Sequence, residues 1–401
     1  MVKVVHRWLT DCLESHDCGS GESTELPTRL LDIDSGTDNI RLFSPSAKGI
    51  SEGKYVALSY CWGSHENFIT TSKNYKTRSQ GFSLKSMPRT LRDAVTLTRD
   101  LGCRYIWIDA LCIIQGSDEN ALRDWAVESS LMNRVYGNSF ITIAAASSNN
   151  CNGGIFAPRS CPLLARTNQD NGTKTEIITA VPCHRHRRRA EDEPLHGRAW
   201  ALQEHILSRR VLMYNVDDIS FHCDHGMEIE GDGAMYARGT IDRFPSRPKT
   251  PQISDWITAV VNYSSRSLTN HEDKLPAMAG IAQHYQLLTN FEQGRYLAGL
   301  WEHSLLFTLL WGTMTKTLST MNQGKPKSYR APSWSWASVD GRIWFQYDES
   351  SRKYFIYTAT IIQCTIEVAT ANPFGQVASG DLVISGPVKK ATGFTCEYTL
   401  A

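Results

Sequence analysis

Apolar residues run almost unbroken through 55–60, 105–108 and 140–146, and between these runs they recur at helical spacing. From Pro88 onward, Leu91, Ala94, Val95, Leu97 and Leu101 share one face of a helix that Gly102 stops. From Asp118, a capping residue, Leu122, Trp125, Ala126, Met132 and Tyr136 form a second such face, closed by Gly137. Strands without a polar face, joined by helices, belong to a parallel sheet covered on both sides. In such sheets ligands settle at the carboxyl ends of the strands. Tyr60, Cys61, Trp62 and Gly63 end the first run, and Asp109 ends the second.

The pattern is weaker on either side. Residues 1–54 read as an irregular N-terminal extension, with one amphipathic turn at Trp8, Leu9 and Leu13 and an edge hairpin from 30–33 and 40–42. Residues 148–197 break the alternation with Asn149-Asn-Cys-Asn-Gly-Gly154, several prolines and the charge run His184-Arg-His-Arg-Arg-Arg189, and read as a surface insertion. A helix over about 198–207 and strands at 211–214 and 219–223 complete an α/β domain over 55–225. Residues 226–401 then form a packed C-terminal region of helices and antiparallel strands. Its helices are expected near 256–263, 276–288 and 297–311. In Pro332-Ser-Trp-Ser-Trp-Ala-Ser338, Trp334 and Trp336 alternate as on a strand, and further strands are expected at 355–366 and 382–385.

Composition narrows the function classes. The 401 residues carry a formal net charge of +1, so no global field draws the chain to nucleic acid or an acidic membrane. No apolar stretch approaches the roughly 18 residues of a transmembrane helix, and the first residues lack the apolar core of an export signal. The eleven cysteines follow no framework spacing and are expected as reduced thiols of a cytoplasmic protein. Cys183-His-Arg-His186 and His222-Cys-Asp-His225 both lack a Cys-x-x-Cys spacing, so no metal site is expected. The absence of Gly-x-Gly-x-x-Gly and Walker sequences gives no support to an ordinary dinucleotide or P-loop enzyme.

Ordered segments over most of the chain resemble the fungal heterokaryon-incompatibility (HET) domain family. They are Tyr55-Val-Ala-Leu-Ser-Tyr-Cys-Trp-Gly63, Met87-Pro88, Leu101-Gly102, Trp107-Ile-Asp-Ala-Leu-Cys-Ile113 with Gln115, Met132 with Tyr136, Arg198-Ala-Trp-Ala-Leu-Gln-Glu204 and Leu207-Ser208. Asp273-Lys-Leu275, Gly299-Leu-Trp301 and the Pro332–Ser338 segment look like the usual C-terminal companion. The resemblance implies a role in cell death after fusion of unlike fungal cells, with homo-oligomers or other incompatibility proteins as partners. It also implies a mainly parallel, TIR-like sheet flanked by helices, in a fold some of whose members cleave NAD. On that likeness Glu204 is the catalytic residue, NAD is a substrate, and no bound cofactor is required. The chain departs from the TIR pattern at Ala201, where that pattern has Cys, and at His205, where it has Leu.

The chemistry of these residue types fits that reading. A carboxylate near a ribose can stabilise the oxocarbenium-like charge of N-glycosidic cleavage. Trp200 and Glu204 lie one turn apart on a helix, and a carboxyl held against an indole has its pKa raised. Tyr60, Trp62, Gly63, Asp109 and Trp200 would shape the substrate pocket. Cys61 and Cys112 read as small core groups. The alternative for Glu204 is a surface ion pair with Arg209 or Arg210, for Asp109 a hydrogen bond to backbone amides, and for Trp62 a plug under the sheet edge. Two other functions stay open: a non-enzymatic assembly module, and a biosynthetic enzyme that reuses the fold for a secondary metabolite.

Overall fold

The computed structural model describes residues 2–19, 23–34, 37–63, 68–156, 163–167, 176–180, 193–230, 235–236, 251–290, 292–314, 326, 328–346 and 358–388. The charge run 184–189 and the 183–186 histidine pair lie outside them.

One ten-stranded sheet organises the first half. Its strands are β1 (Leu30–Asp32), β2 (Asn39–Phe43), β3 (Tyr55–Ser59), β4 (Phe82–Ser83), β5 (Tyr105–Trp107), β6 (Ile141–Ala144), β7 (Arg210–Tyr214), β8 (Ile219–Cys223), β9 (Met227–Ile229) and β10 (Met235–Tyr236). They lie in the order β10-β9-β8-β7-β6-β3-β5-β1-β2-β4. The centre, β5-β3-β6-β7, is parallel, and each of these strands is buried almost end to end, as the apolar runs predict. Both wings are antiparallel, so the sheet is mixed rather than mainly parallel. The connections give the reason. The turn between Tyr214 and Ile219 is closed by Asn215 N donating to Asp218 O at 3.0 Å, and such a short link can only make a hairpin. Numbered along the chain, the parallel strands sit in the order 2-1-3-4, with the switch in direction between β3 and β6. Ligand crevices form outside the carboxyl ends of strands at such a point.

Three local readings change in the structure. The N-terminal turn is a 14-residue helix, α1 (Val2–Ser15). Val5 and Cys12 extend the stripe of Trp8 and Leu9 into a full buried face, while Leu13 stays at the surface. The segment after Asp118 is two helices rather than one. After α2 (Arg89–Asp100) and the short α3 (Asp109–Cys112) come α4 (Glu119–Ser130) and α5 (Met132–Asn138). Ser129 and Ser130 hydroxyls donate to the carbonyls of Ala126 and Val127 just before the break, a local bond that competes with the helix ladder. Leu122 is 58% exposed and outside the core, and Gly137 lies within α5. Asp118 does cap α4, accepting from Ala121 N at 3.1 Å.

The third change is in the C-terminal region, whose own core gathers around α7 (Ile253–Ser264) and α8 (Pro276–Leu288) after the buried helix α6 (Ala199–Leu207). Residues 297–311 are not one helix. Tyr296–Leu297 and Leu300–Trp301 form a tight hairpin through Ala298 at φ 47° and Gly299 at φ 99°, and Leu305–Thr308 is a single helical turn. The Gly299 carbonyl accepts from the indoles of Trp256 and Trp336 at 3.1 and 2.8 Å, which ties the turn into the core. Residues 332–338 end in a 3-10 turn, not a strand; Trp336 is buried and Trp334 only half-buried. A long hairpin of Thr360–Val368 and Val377–Ser385 follows, with residues 355–357 outside the described set. No helix among the described residues is long and apolar enough to cross a membrane.

Candidate functional site

A cavity of about 480 Å³ opens beyond the carboxyl ends of β3 and β5. Several stretches of chain wall it. Cys61, Trp62 and Gly63 continue β3, and Asp109 opens α3 where β5 ends. Arg198, Trp200 and Glu204 come from the start and inner face of α6. Ser267, Asn270 and Asp273 come from the loop between α7 and α8. That loop is pinned to α6 by two backbone bonds, Ala199 N to Ser267 O at 2.9 Å and Ser267 N to Gly197 O at 2.7 Å.

Of the residues singled out in the sequence, Trp62, Gly63, Asp109, Trp200 and Glu204 all line this cavity. Tyr60 does not. Its side chain is buried behind the wall, and its carbonyl accepts a hydrogen bond from Arg198. Burial, with Asp109 nearby, pushes its hydroxyl pKa well up. Gly63 has φ 84°, and a Cβ there would meet the Cβ of Asn150 at 2.5 Å. The turn that delivers Trp62 therefore needs glycine.

Asp109 is held from two sides. Trp62 Nε1 donates to its Oδ2 at 2.8 Å, and Ala110 N donates to its Oδ1 at 2.7 Å. The backbone-capping role and the pocket-lining role thus coexist in one carboxylate. Burial raises its pKa, and Arg198 opposes that rise. Glu204 is 2% exposed. Burial raises its pKa too; Arg198 works against this, Asp109 adds to it, and the Ser59 and Tyr136 hydroxyls ease it by hydrogen bonding. Its Oε2 has no hydrogen-bond partner among the described residues. The surface ion pair with Arg210 does not form: Arg210 is fully buried elsewhere, bonded to Cys12 Sγ and to the carbonyls of Phe140, Cys18 and Gly19.

Two residues that sequence reasoning quoted without a role complete the wall. Arg198 lies close enough to Glu204 and Asp109 for their charges to act on it. Burial works against its charge, but Glu204 and Asp109 hold its pKa above the ordinary value. Asp273 faces them from the far loop. Burial lifts its pKa to about 6, against hydrogen bonds from Trp200 and Asn270. The cavity thus carries two indole–carboxylate pairs, Trp62 with Asp109 and Trp200 with Asp273. Arg198 and Asp273 both stand in segments that carry the family resemblance, and Arg198 is also a charged residue at the head of a run as apolar as that of α6. Neither signal placed Asp273 at the cavity, because only the tertiary fold brings its loop to α6.

Such an arrangement is suited to a planar or cationic ligand. Three carboxylates outnumber the one guanidinium among the lining side chains, and indole faces attract cations as well as aromatic rings. Residues 55–204 match the family model described as heterokaryon incompatibility protein (HET). No curated protein and no solved structure matches the chain.

Proposed function

Because the chain carries a heterokaryon incompatibility (HET) domain at residues 55–204, we propose an incompatibility-related effector that binds NAD in this cavity and hydrolyses its N-glycosidic bond. The observation that carries this reading is Glu204. A buried carboxylate, one oxygen of which has no hydrogen-bond partner among the described residues, lies in the wall of a ligand-sized cavity at strand carboxyl ends.

The nicotinamide ring of NAD is a cationic aromatic. It suits a pocket with indoles and an excess of carboxylates better than a phosphate does, so the diphosphate would point outward. In the reaction, the C1′–N1 electron pair leaves with nicotinamide and neutralises the ring. The ribose is left with oxocarbenium character, which the Glu204 carboxylate would stabilise, or it would orient a ribose hydroxyl. Water adds to C1′, giving ADP-ribose and a proton. Trp62 and Trp200 would flank the ring, and Asp109 would hold Trp62 in place. Arg198 would keep Glu204 ionised. The TIR-like character of the fold and a role in cell death belong to this same proposal.

An assembly module without chemistry would be favoured by a cleft closed with tryptophan, whereas here Trp62 and Trp200 border open space. A pocket among the C-terminal tryptophans is not favoured either, since Trp301 and Trp336 are fully buried in a packed core. Incubating the pure protein with NAD and following nicotinamide release tests the proposal. Catalytic release supports it. No release, together with no binding of NAD by calorimetry, rejects it.

A further inference from the structure

Away from this cavity, the described residues gather a set of ligating atoms where α1 meets the antiparallel wing. The buried face of α1 packs on β8, with the rings of Trp8 and Phe221 6.3 Å apart and 23° from parallel. Cys12 lies in the last turn of α1, His16 directly follows the helix, and the chain then turns to bring in Cys18. Cys223 arrives from the end of β8. The three Sγ atoms and one ring nitrogen of His16 all lie within 4.8 Å of one another. His16 Nδ1 is 3.4 Å from Cys223 Sγ. The three cysteines are buried and His16 is half-buried.

We propose that Cys12, His16, Cys18 and Cys223 bind one zinc ion and so clamp the N-terminal helix to the sheet. Tetrahedral zinc with sulfur ligands at about 2.3 Å sets sulfurs roughly 3.8 Å apart, so the observed spread needs only a small contraction. Three thiolates and one imidazole are a closed structural set with no open position for substrate. The surroundings suit it as well. Such a site carries one net negative charge, and the buried guanidinium of Arg210 donates through Nε to Cys12 Sγ at 3.2 Å. Backbone amides of His225 and Asp224 hydrogen-bond Cys18, and that of Gly226 hydrogen-bonds Cys223. The His225 ring stacks on His16, 4.2 Å between centroids, and holds its orientation.

The strand explains why the sequence hid this site. His222 and Cys223 are adjacent on β8, so they point to opposite faces. His222 Nε2 meets Ser220 Oγ at 2.8 Å, on the side of His205, while Cys223 faces α1. His222 and Cys223, neighbours in sequence, thus serve different surroundings. The true companions of Cys223 lie some two hundred positions away: His16 is 207 residues from it.

Metal content of the full chain, purified without chelator, decides the matter. The expected result is about one zinc per chain, released by a mercurial reagent. Cobalt substitution should give the intense absorption of thiolate-ligated tetrahedral Co²⁺. Cys223→Ser and His16→Ala should weaken zinc retention by at least about tenfold, while His16→Cys, which restores a four-ligand set, keeps the metal. Wild-type protein that holds no metal and takes up none when zinc is added would overturn the proposal. So would an intact mass showing the loss of two hydrogens through a disulfide among Cys12, Cys18 and Cys223. Both measurements are made on wild-type protein and stand whether or not the variants fold.

Discussion

Trp62 Nε1 donates to Asp109 Oδ2 at 2.8 Å, joining the ends of two neighbouring parallel strands across 47 residues of sequence. The bond explains how one tryptophan and one carboxylate can be both structural and placed for chemistry. With Ala110 N donating to the other carboxylate oxygen, neither side chain is free to turn, and both line the cavity in fixed positions. Trp62→Phe keeps the aromatic bulk but removes the donor. The buried carboxylate then loses a partner, and the variant is expected to lose about 1–3 kcal/mol of stability. Urea unfolding followed by circular dichroism measures this; a change within error would show that the bond contributes nothing net.

Arg198 neutralises a site that buries Asp109 and Glu204 together. Arg198→Gln should cost about 3–5 kcal/mol near neutral pH, the magnitude seen when one partner of a buried ionic group is removed. The sign with pH follows from the carboxylates. Their folded pKa values, already raised, rise further without Arg198, so folding takes up protons. The deficit of the variant therefore shrinks as pH is lowered toward the ordinary carboxylate range. Stability curves of both proteins at several pH values check this, and a deficit that grows on acidification would contradict it.

Asp273 gives a separate pH signature. Its pKa rises from 3.8 to about 6 in the folded chain. Its contribution to stability is fully present below 3.8 and is lost as pH rises through 6, because the buried charged form is disfavoured. Asp273→Asn should flatten that part of the stability profile between these values. Thermal melts across the window, wild type against variant, show whether the two curves converge at the acid end.

Gly299 is the most exacting backbone position in the C-terminal core. Its φ of 99° disfavours any side chain, and an added Cβ would lie 2.6 Å from Trp336 Nε1. Gly299→Ala should cost several kcal/mol, about 1–3 from backbone strain and a comparable amount from overpacking. Guanidinium unfolding monitored by tryptophan fluorescence reads it directly. A variant of wild-type stability would mean that the hairpin has another conformation in solution.

The parallel centre was legible because β3, β5 and β6 are apolar on both faces, which admits few other folds. Of the antiparallel wings, the hairpin of β1 and β2 was legible, whereas β9 and β10, of three and two residues, are too short to show a pattern of their own. In the site, the placing of Trp62 and Asp109 follows from the rule for strand ends, whereas Glu204, on a helix, was singled out by the family resemblance. Asp273 and the thiol cluster depend on contacts between segments far apart in sequence, and no local periodicity encodes those. Cys12 shows the difficulty well: along the helix it continues the apolar stripe, and only the tertiary fold brings Cys18 and Cys223 beside it.

Glu204 is proposed to act on the ribose of bound NAD. Glu204→Gln preserves the shape of the side chain and removes its charge, so nicotinamide release and NAD binding should be measured together on wild type and variant. The expected result is a loss of turnover of about 100-fold or more, with affinity for NAD changed only a few-fold, as for an interaction made mainly in the transition state. Turnover unchanged by the substitution would remove Glu204 from the mechanism and contradict the account.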